Sequence, residues 1–186
     1  MKRSAVFLDR DGVINEDRAF VHKIEDFVYI AGVREALKII KSKGYLTVLV
    51  TNQAGIAYGY YTEEDYRILT DWMQKDLGSD SLEFDGVYFC PHHPAKGNAP
   101  YLQSCRCRKP ETGMLLQASA DLDIDFAGSY MVGDRMSDVE TGRRAGCAGS
   151  YLVSTGKPLP YFDGGIPDFV KKDLLQVARE LPVCRK

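Results

Sequence analysis

The sequence predicts an α/β fold: a doubly wound, Rossmann-like parallel sheet with helices on both faces. Two observations carry that expectation. Short apolar runs alternate with segments of helical periodicity along the chain, the pattern of a parallel sheet covered on both sides. The length, 186 residues, suits one domain with modest extras and buries about 70% of the unfolded surface without covalent staples.

Each element has its own signal. Residues 4–8 read as the first strand. Val33, Ala36, Leu37 and Ile40 recur at helical spacing, and Gly44 stands where a helix C′ residue belongs. Residues 46–50 form a β-branched run and a second, buried strand. Thr62 can cap the next helix, whose apolar face carries Tyr66, Leu69, Met73 and Leu77. Residues 86–89 read as a third strand, 113–122 as a helix, and 129–132 as a fourth strand. A helix over 139–145 stops at Gly146, 150–153 is a fifth strand, and 171–181 is the final helix. Residues 154–167, with Pro158, Pro160, Gly164 and Gly165, read as a surface loop. Residues 91–110 have no periodicity, few aliphatics and four prolines. A loop of that length in a compact domain is functional or disordered.

Composition excludes several classes. Apolar residues at 45% and charged residues at 27% are an ordinary globular balance, not that of collagen, a coiled coil or a disordered chain. The 24 basic and 26 acidic residues leave a net charge of −2, which gives no electrostatic footprint for nucleic acid. No apolar run approaches the roughly 18 residues of a membrane span. The N-terminus turns acidic at Asp9, too early for a secretory leader. The expectation is a cytoplasmic, monomeric protein, a single domain over 1–186, with no nucleic-acid or membrane partner.

The first strand runs into Asp9-Arg10-Asp11-Gly12. Ligands of open parallel sheets bind beyond the carboxyl ends of the strands. Two acids two residues apart can face one site, and Gly12 permits a sharp exit. Paired carboxylates of this kind can hold Mg²⁺ or divide the roles of nucleophile and general acid. A solvated turn is the other reading of the same four residues. Further strand ends add to the first. Val50-Thr51-Asn52-Gln53 brings a hydroxyl and backbone N–H groups, and Gly133-Asp134, with Asp138 following, brings more carboxylate. Arg108-Lys109-Pro110 supplies a point charge and a guanidinium that can grip phosphate.

Five cysteines, Cys90, Cys105, Cys107, Cys147 and Cys184, are an odd count. Three fall within 18 residues, pointing to metal rather than to bridges. Cys147 and Cys184 read as ordinary thiols. Cys90-x-His92 and Cys105-x-Cys107 are separated by twelve residues. Three thiolates and one imidazole match a structural Zn²⁺ site with no open position; by position His93 is as available as His92. The zinc-bound loop, about 90–107, would tether the aperiodic stretch and fix Arg108 and Lys109, which follow Cys107 directly.

Residues 7–13, Thr51-Asn52-Gln53, Lys109-Pro110 and Gly133-Asp134 resemble, in order, the four motifs of the haloacid dehalogenase-like phosphohydrolases. The resemblance runs from about residue 5 to 157. It is closer to the D-glycero-D-manno-heptose 1,7-bisphosphate phosphatase branch. That branch is matched by Ile14-Asn15-Glu16-Asp17, residues 50–57, Cys90-Pro91-His92-His93-Pro94, residues 105–110 and Tyr130-Met131-Val132-Gly133-Asp134. The histidinol-phosphate phosphatase domain shares most of these residues and is the alternative, with other small sugar-phosphate phosphatases. Val13 replaces the more frequent Thr of the first motif.

The resemblance implies a haloacid dehalogenase-like fold and a Mg²⁺-dependent phosphatase that forms an aspartyl-phosphate. It would remove the C7 phosphate of the sugar bisphosphate and leave heptose 1-phosphate for nucleotide-heptose and lipopolysaccharide core synthesis. Asp9 would be the nucleophile and Asp11 the general acid and base. Thr51 and Lys109 would hold the phosphoryl oxygens. Mg²⁺ would be held by Asp9, the backbone carbonyl of Asp11 and Asp134, with Asp138 orienting a metal-bound water. The branch selects His92, with Cys90, Cys105 and Cys107, for Zn²⁺. Substrate contacts are implied for Asp17, Arg18, Phe20, Asn52, Gln53, Arg108 and Arg135, besides Thr51 and Lys109; a solvated loop is the other reading of Arg18 and His22, and a solvated surface charge that of Arg135. Only about forty residues separate Asp11 from Thr51, too few for a large cap domain. Two unrelated classes fit less well. A phosphoacceptor receiver module needs an acid where Thr51 stands, and a zinc-ribbon interaction module leaves the acid–Thr–Lys–acid set unexplained.

Overall fold

The computed structural model describes residues 2–155 and 167–184. Six parallel strands form one sheet in the order β3-β2-β1-β4-β5-β6. They are β1 Ala5–Leu8, β2 Leu46–Asn52, β3 Gly86–Cys90, β4 Tyr130–Gly133, β5 Gly149–Val153 and β6 Phe169–Lys171. The helices are α1 Val33–Ser42, α2 Ala54–Ala57, α3 Glu63–Gly78, α4 Gly113–Leu122, α5 Met136–Ala145 and α6 Leu174–Glu180. The chain builds outward from β1 to β3, then returns past β1 to lay down β4. The strand order therefore reverses beside β1, where such sheets bind ligands.

The two faces of β1 show the period of a strand. Val6 and Leu8 join one apolar cluster with Val33, Leu37 and Ile40 of α1, Leu69, Met73 and Leu77 of α3, and Leu174 and Val177 of α6. Ala5 and Phe7 join the opposite cluster with Val48, Val50, Met131 and Met114, Leu115 and Ala118 of α4. Gly142 lets α5 lie against Met131 and Ser150 on that second face; a Cβ there would fall 2.6 Å from Met131 Cβ. With both faces covered, β1 is wholly buried, and Asp9 emerges at its carboxyl end. Among the described residues no cap domain interrupts the span from β1 to β2, which holds a loop, one 3₁₀ turn and α1.

Several boundaries differ from the sequence expectation. The helix expected from residue 139 begins at Met136, because the Asp138 carboxylate accepts from Arg135 N at 3.0 Å and caps the first turn. The final helix does not include Lys171, which ends β6; α6 starts after Asp173, whose carboxylate accepts from Gln176 N at 2.9 Å. β6 has three residues and α2 one turn, both too short for periodicity to register. Most of the loop expected over 154–167 lies outside the described residues. No described helix is long and apolar enough to cross a membrane.

α3 is set by a capping box: Thr62 Oγ1 accepts from Asp65 N at 3.1 Å, and Asp65 Oδ2 accepts from Thr62 N at 2.8 Å. Thr62→Ala should lower stability by about 1 kcal/mol, read as a shift in urea midpoint with unchanged m-value.

Candidate active site

The carboxyl ends of β1, β2 and β4 open into a cleft of about 410 Å³, within the size range of small-molecule sites. At its base the Lys109 ammonium is buried. It donates to Val50 O at 2.9 Å and pairs with Asp9 Oδ1 at 3.0 Å and Asp138 Oδ1 at 2.6 Å. Asn52 clamps the lysine's backbone at both ends, donating to Lys109 O at 3.1 Å and accepting from Lys109 N at 3.0 Å. Asp138 pairs with Lys109 through one oxygen and caps α5 through the other.

Carboxylate oxygens of Asp9, Asp134 and Asp138 lie within 4.8 Å of one another. Two glycines make room for them. A Cβ on Gly12, at φ +87°, would fall 2.4 Å from Asp134 Oδ2, and one on Gly133 would fall 2.1 Å from Asp138 Cβ. Burial raises the Asp9 carboxyl to about 7; Lys109 opposes the rise, while Asp138, Asp134 and Asp11 add to it. Three hard carboxylates against one ammonium leave negative charge in excess, so the donor set fits a divalent cation. The Asp11 side chain stands apart from this group.

Asp11 is held by another set. Its Oδ1 accepts from Arg10 Nη2 and Asn15 Nδ2, each at 3.0 Å, and its Oδ2 accepts from Gln53 Nε2 at 3.1 Å. Arg10 is 1% exposed, donates to Val21 O at 2.6 Å, and lies 5.8 Å from the Tyr66 ring centroid. The neighbouring acid keeps the guanidinium raised against the opposing effect of burial. Thr51 is buried, and its Oγ1 accepts from Gln53 Nε2 at 2.8 Å.

The upper walls hold Asp17, Phe20, Tyr58, Tyr61, Arg108, Arg135 and Ser137. Arg108 donates to His92 O at 3.1 Å. Arg135 reaches Asp17 at 3.6 Å and Asp134 at 3.8 Å. Phe20 packs edge-on against Tyr58 and Tyr60, with ring centroids 5.8 and 4.8 Å away. Arg18 lies outside the cleft, turned back onto Glu16 at 2.7 Å. Sequence reading assigned no role to Arg10, Tyr58, Tyr61 or Ser137. A full charge between two strand-end acids was the available signal for Arg10; the tyrosines offer none without the fold.

Cys90, His92, Cys105 and Cys107 also gather within 4.8 Å. Sulfur separations are 3.1–3.5 Å, and His92 Nδ1 lies 3.7 Å from Cys90 Sγ and 3.5 Å from Cys107 Sγ. A tetrahedral ion with 2.3 Å bonds to sulfur sets those sulfurs roughly 3.8 Å apart, so the four groups fit one. His93 faces elsewhere: its Nδ1 accepts from Ala95 N at 3.2 Å and Lys96 N at 3.0 Å.

Residues 106–176 match the HAD-hydrolase-like family model. The chain is 45% identical over 182 residues to the D-glycero-β-D-manno-heptose-1,7-bisphosphate 7-phosphatase of Haemophilus influenzae, covering 98% of each chain. It is 51% identical over 160 residues to the enzyme of that name from Haemophilus ducreyi, covering 86% of this chain and 87% of that one. The crystal structure of D,D-heptose 1,7-bisphosphate phosphatase from B. bronchiseptica, complexed with magnesium and phosphate, superposes with a TM-score of 0.78 at 31% identity, covering 96% and 97% of the chains.

The raised Asp9 fixes a pH dependence for cation binding. A proton and a cation compete for that carboxylate, so apparent Mg²⁺ affinity should fall as pH drops through about 7, with proton release on binding below it. The sign for stability is opposite. An acid raised in the folded state costs the metal-free fold stability as pH rises from 3.8 to about 7. Calorimetric titration in buffers of different ionisation enthalpy reads the proton release, and a pH-independent affinity refutes the cluster as the site.

Proposed function

The chain belongs to the D-glycero-β-D-manno-heptose-1,7-bisphosphate 7-phosphatase family of phosphoric monoester hydrolases, and from that premise we propose that it removes the C7 phosphate of that sugar bisphosphate through an aspartyl-phosphate on Asp9. The observation that carries the reading is the buried Lys109 ammonium against Asp9, beside Asp134 and Asp138, at the floor of an open cleft. Similarity to enzymes named for the heptose bisphosphate favours it over histidinol phosphate.

Mg²⁺, held by Asp9 and Asp134 with Asp138 in reach, would neutralise charge on the phosphoryl oxygens. An Asp9 oxygen attacks phosphorus in line, and the bond from phosphorus to the C7 oxygen breaks. Asp11 gives its proton to that departing oxygen. Asp11 then takes a proton from the water that attacks the adduct, which frees phosphate and restores Asp9. Lys109 and Thr51 hold the transferring phosphoryl group, so catalysis is mainly positioning and charge neutralisation. Arg108 and Arg135 face the cleft above and suit the distal C1 phosphate. The product keeps that phosphate, as a supply for nucleotide-heptose and lipopolysaccharide core requires.

The Cys–His cluster is read as a structural Zn²⁺ site, since four protein ligands close the shell. A cytoplasmic setting agrees with these clustered free thiols, and the chain is read as one monomeric phosphatase domain with the 90–107 loop as its insert.

Asp9→Asn should abolish turnover, and near-normal kcat in pure protein would sink the assignment. Lys109 and Arg108 should separate in kinetics: Lys109→Ala mainly lowers kcat, while Arg108→Ala raises KM for the bisphosphate and spares p-nitrophenyl phosphate. Equal losses on both substrates in Arg108→Ala would show that Arg108 does not read the sugar bisphosphate.

Elemental analysis should find about one zinc per chain. Cys107→Ala should lose it and lower activity although no group at the reacting centre has changed. A zinc-free wild type with full activity contradicts the tether.

A further inference from the structure

On the reading above, Thr51 and Asp11 face the transferring phosphoryl group. Both accept a hydrogen bond from one side-chain amide, as Gln53 Nε2 lies 2.8 Å from Thr51 Oγ1 and 3.1 Å from Asp11 Oδ2. The other end of the amide meets Tyr61, whose hydroxyl lies 2.5 Å from Gln53 Oε1. Gln53 and Tyr61 are both buried.

An amide can turn end for end with little change of shape, but chemistry permits one orientation here. In its ionised form Asp11 only accepts, and when protonated it turns its O–H to the departing oxygen, so in both states the end of the amide facing it is the nitrogen. The oxygen then faces Tyr61, and the phenol must donate. Burial holds the Tyr61 phenol well above its ordinary range, so it keeps its proton. Thr51 in turn receives an N–H on its oxygen. Its own hydroxyl proton is thus directed away from Gln53 and is available to a phosphoryl oxygen.

The surroundings are built for this tyrosine. A Cβ on Gly55 would fall 2.1 Å from Tyr61 Cε1, so the ring reaches its place only over a glycine. The His22 imidazole stacks on the ring at 4.8 Å and 6°. Tyr61 also directly precedes the Thr62 cap of α3, which fixes its backbone.

We propose that Tyr61 is a positioning residue for phosphoryl transfer. Through Gln53 it fixes the hydrogen-bond polarity of Thr51 and the orientation of Asp11, without touching the reacting atoms.

Tyr61→Phe keeps the ring and removes only the hydroxyl. On both heptose 1,7-bisphosphate and p-nitrophenyl phosphate, kcat should fall roughly five- to tenfold, the size of one neutral hydrogen bond, with KM within about twofold. The same substitution in a Gln53→Ala background should cost nothing further; an effect of the hydroxyl that does not run through Gln53 would give additive losses. Unchanged kcat in Tyr61→Phe, or an undiminished loss in the Gln53→Ala background, overturns the proposal. Failure of the substrate reading is distinct. The wild type would then turn over p-nitrophenyl phosphate and not the bisphosphate, and the cycle is read on the former. A wild type inert on both overturns the phosphatase reading and this proposal together.

Discussion

The structure depends on one buried cation. The Lys109 ammonium is cut off from water and satisfied by Val50 O, Asp9 and Asp138. A buried ion pair gives little net stability, but removing one partner leaves an uncompensated charge that costs about 3–5 kcal/mol. The elements around it are therefore tied together: Val50 from β2, Asp9 from the end of β1, Asp138 from the first turn of α5, and Asn52 gripping the lysine's backbone. Asp9, Asp138 and Asn52 line the cleft together with the lysine. With Asp134 the cluster carries two negative charges in excess, which a divalent cation would cancel. The incoming phosphate would then meet a neutral floor and the cations Arg108 and Arg135 above it.

The loop from β3 to α4 is braced against both walls of the cleft. On one side Cys107 leads into Arg108 and Lys109, and Arg108 stays bonded to His92 O. On the other, Asn98 N donates to Ala57 O at 2.8 Å and Tyr101 Oη donates to Glu63 Oε1 at 2.9 Å. Gly97 packs so closely on α2 that a Cβ would fall 2.4 Å from Ala57 O. A metal held by the four Cys and His side chains would thus set the spacing between the cation wall and the wall carrying Tyr58 and Tyr61. This stretch has no regular structure of its own and buries few aliphatics, so ligation of a metal there would substitute for a core.

The sheet was legible because β1, β2, β4 and β5 are apolar runs and α1, α3 and α4 keep helical spacing. The acids were legible because Asp9, Asp11 and Asp134 end strands, where a parallel sheet places its ligands. The second role of Asp138 was hidden: only the close approach of Gly133 shows why that carboxylate reaches both Lys109 and the helix cap. Arg18 shows the converse limit. It sits in the right loop, but the nearer Glu16 takes its guanidinium and turns it outward. Tyr61 belongs to the site through a glycine six residues away, a contact that no periodicity encodes.

Arg10 joins the chemistry to recognition. One nitrogen of its guanidinium binds both oxygens of Asp11 and also donates to Val21 O at 2.6 Å. Val21 follows Ala19 and Phe20, two non-glycine residues at φ +60° and +57°. That conformation costs roughly 1–2 kcal/mol per residue and persists only where the surroundings over-determine it. Here the anchor at Val21, the Asp17 carboxylate accepting from Ala19 N at 3.2 Å, and the rings of Tyr58 and Tyr60 against Phe20 supply the constraint. The strained turn presents Phe20 to the cleft. Because Arg10 grips the acid and the turn at once, displacement of one is felt by the other. In a fold without a large cap, Arg10 thus ties the turn that carries Phe20 to the placement of Asp11.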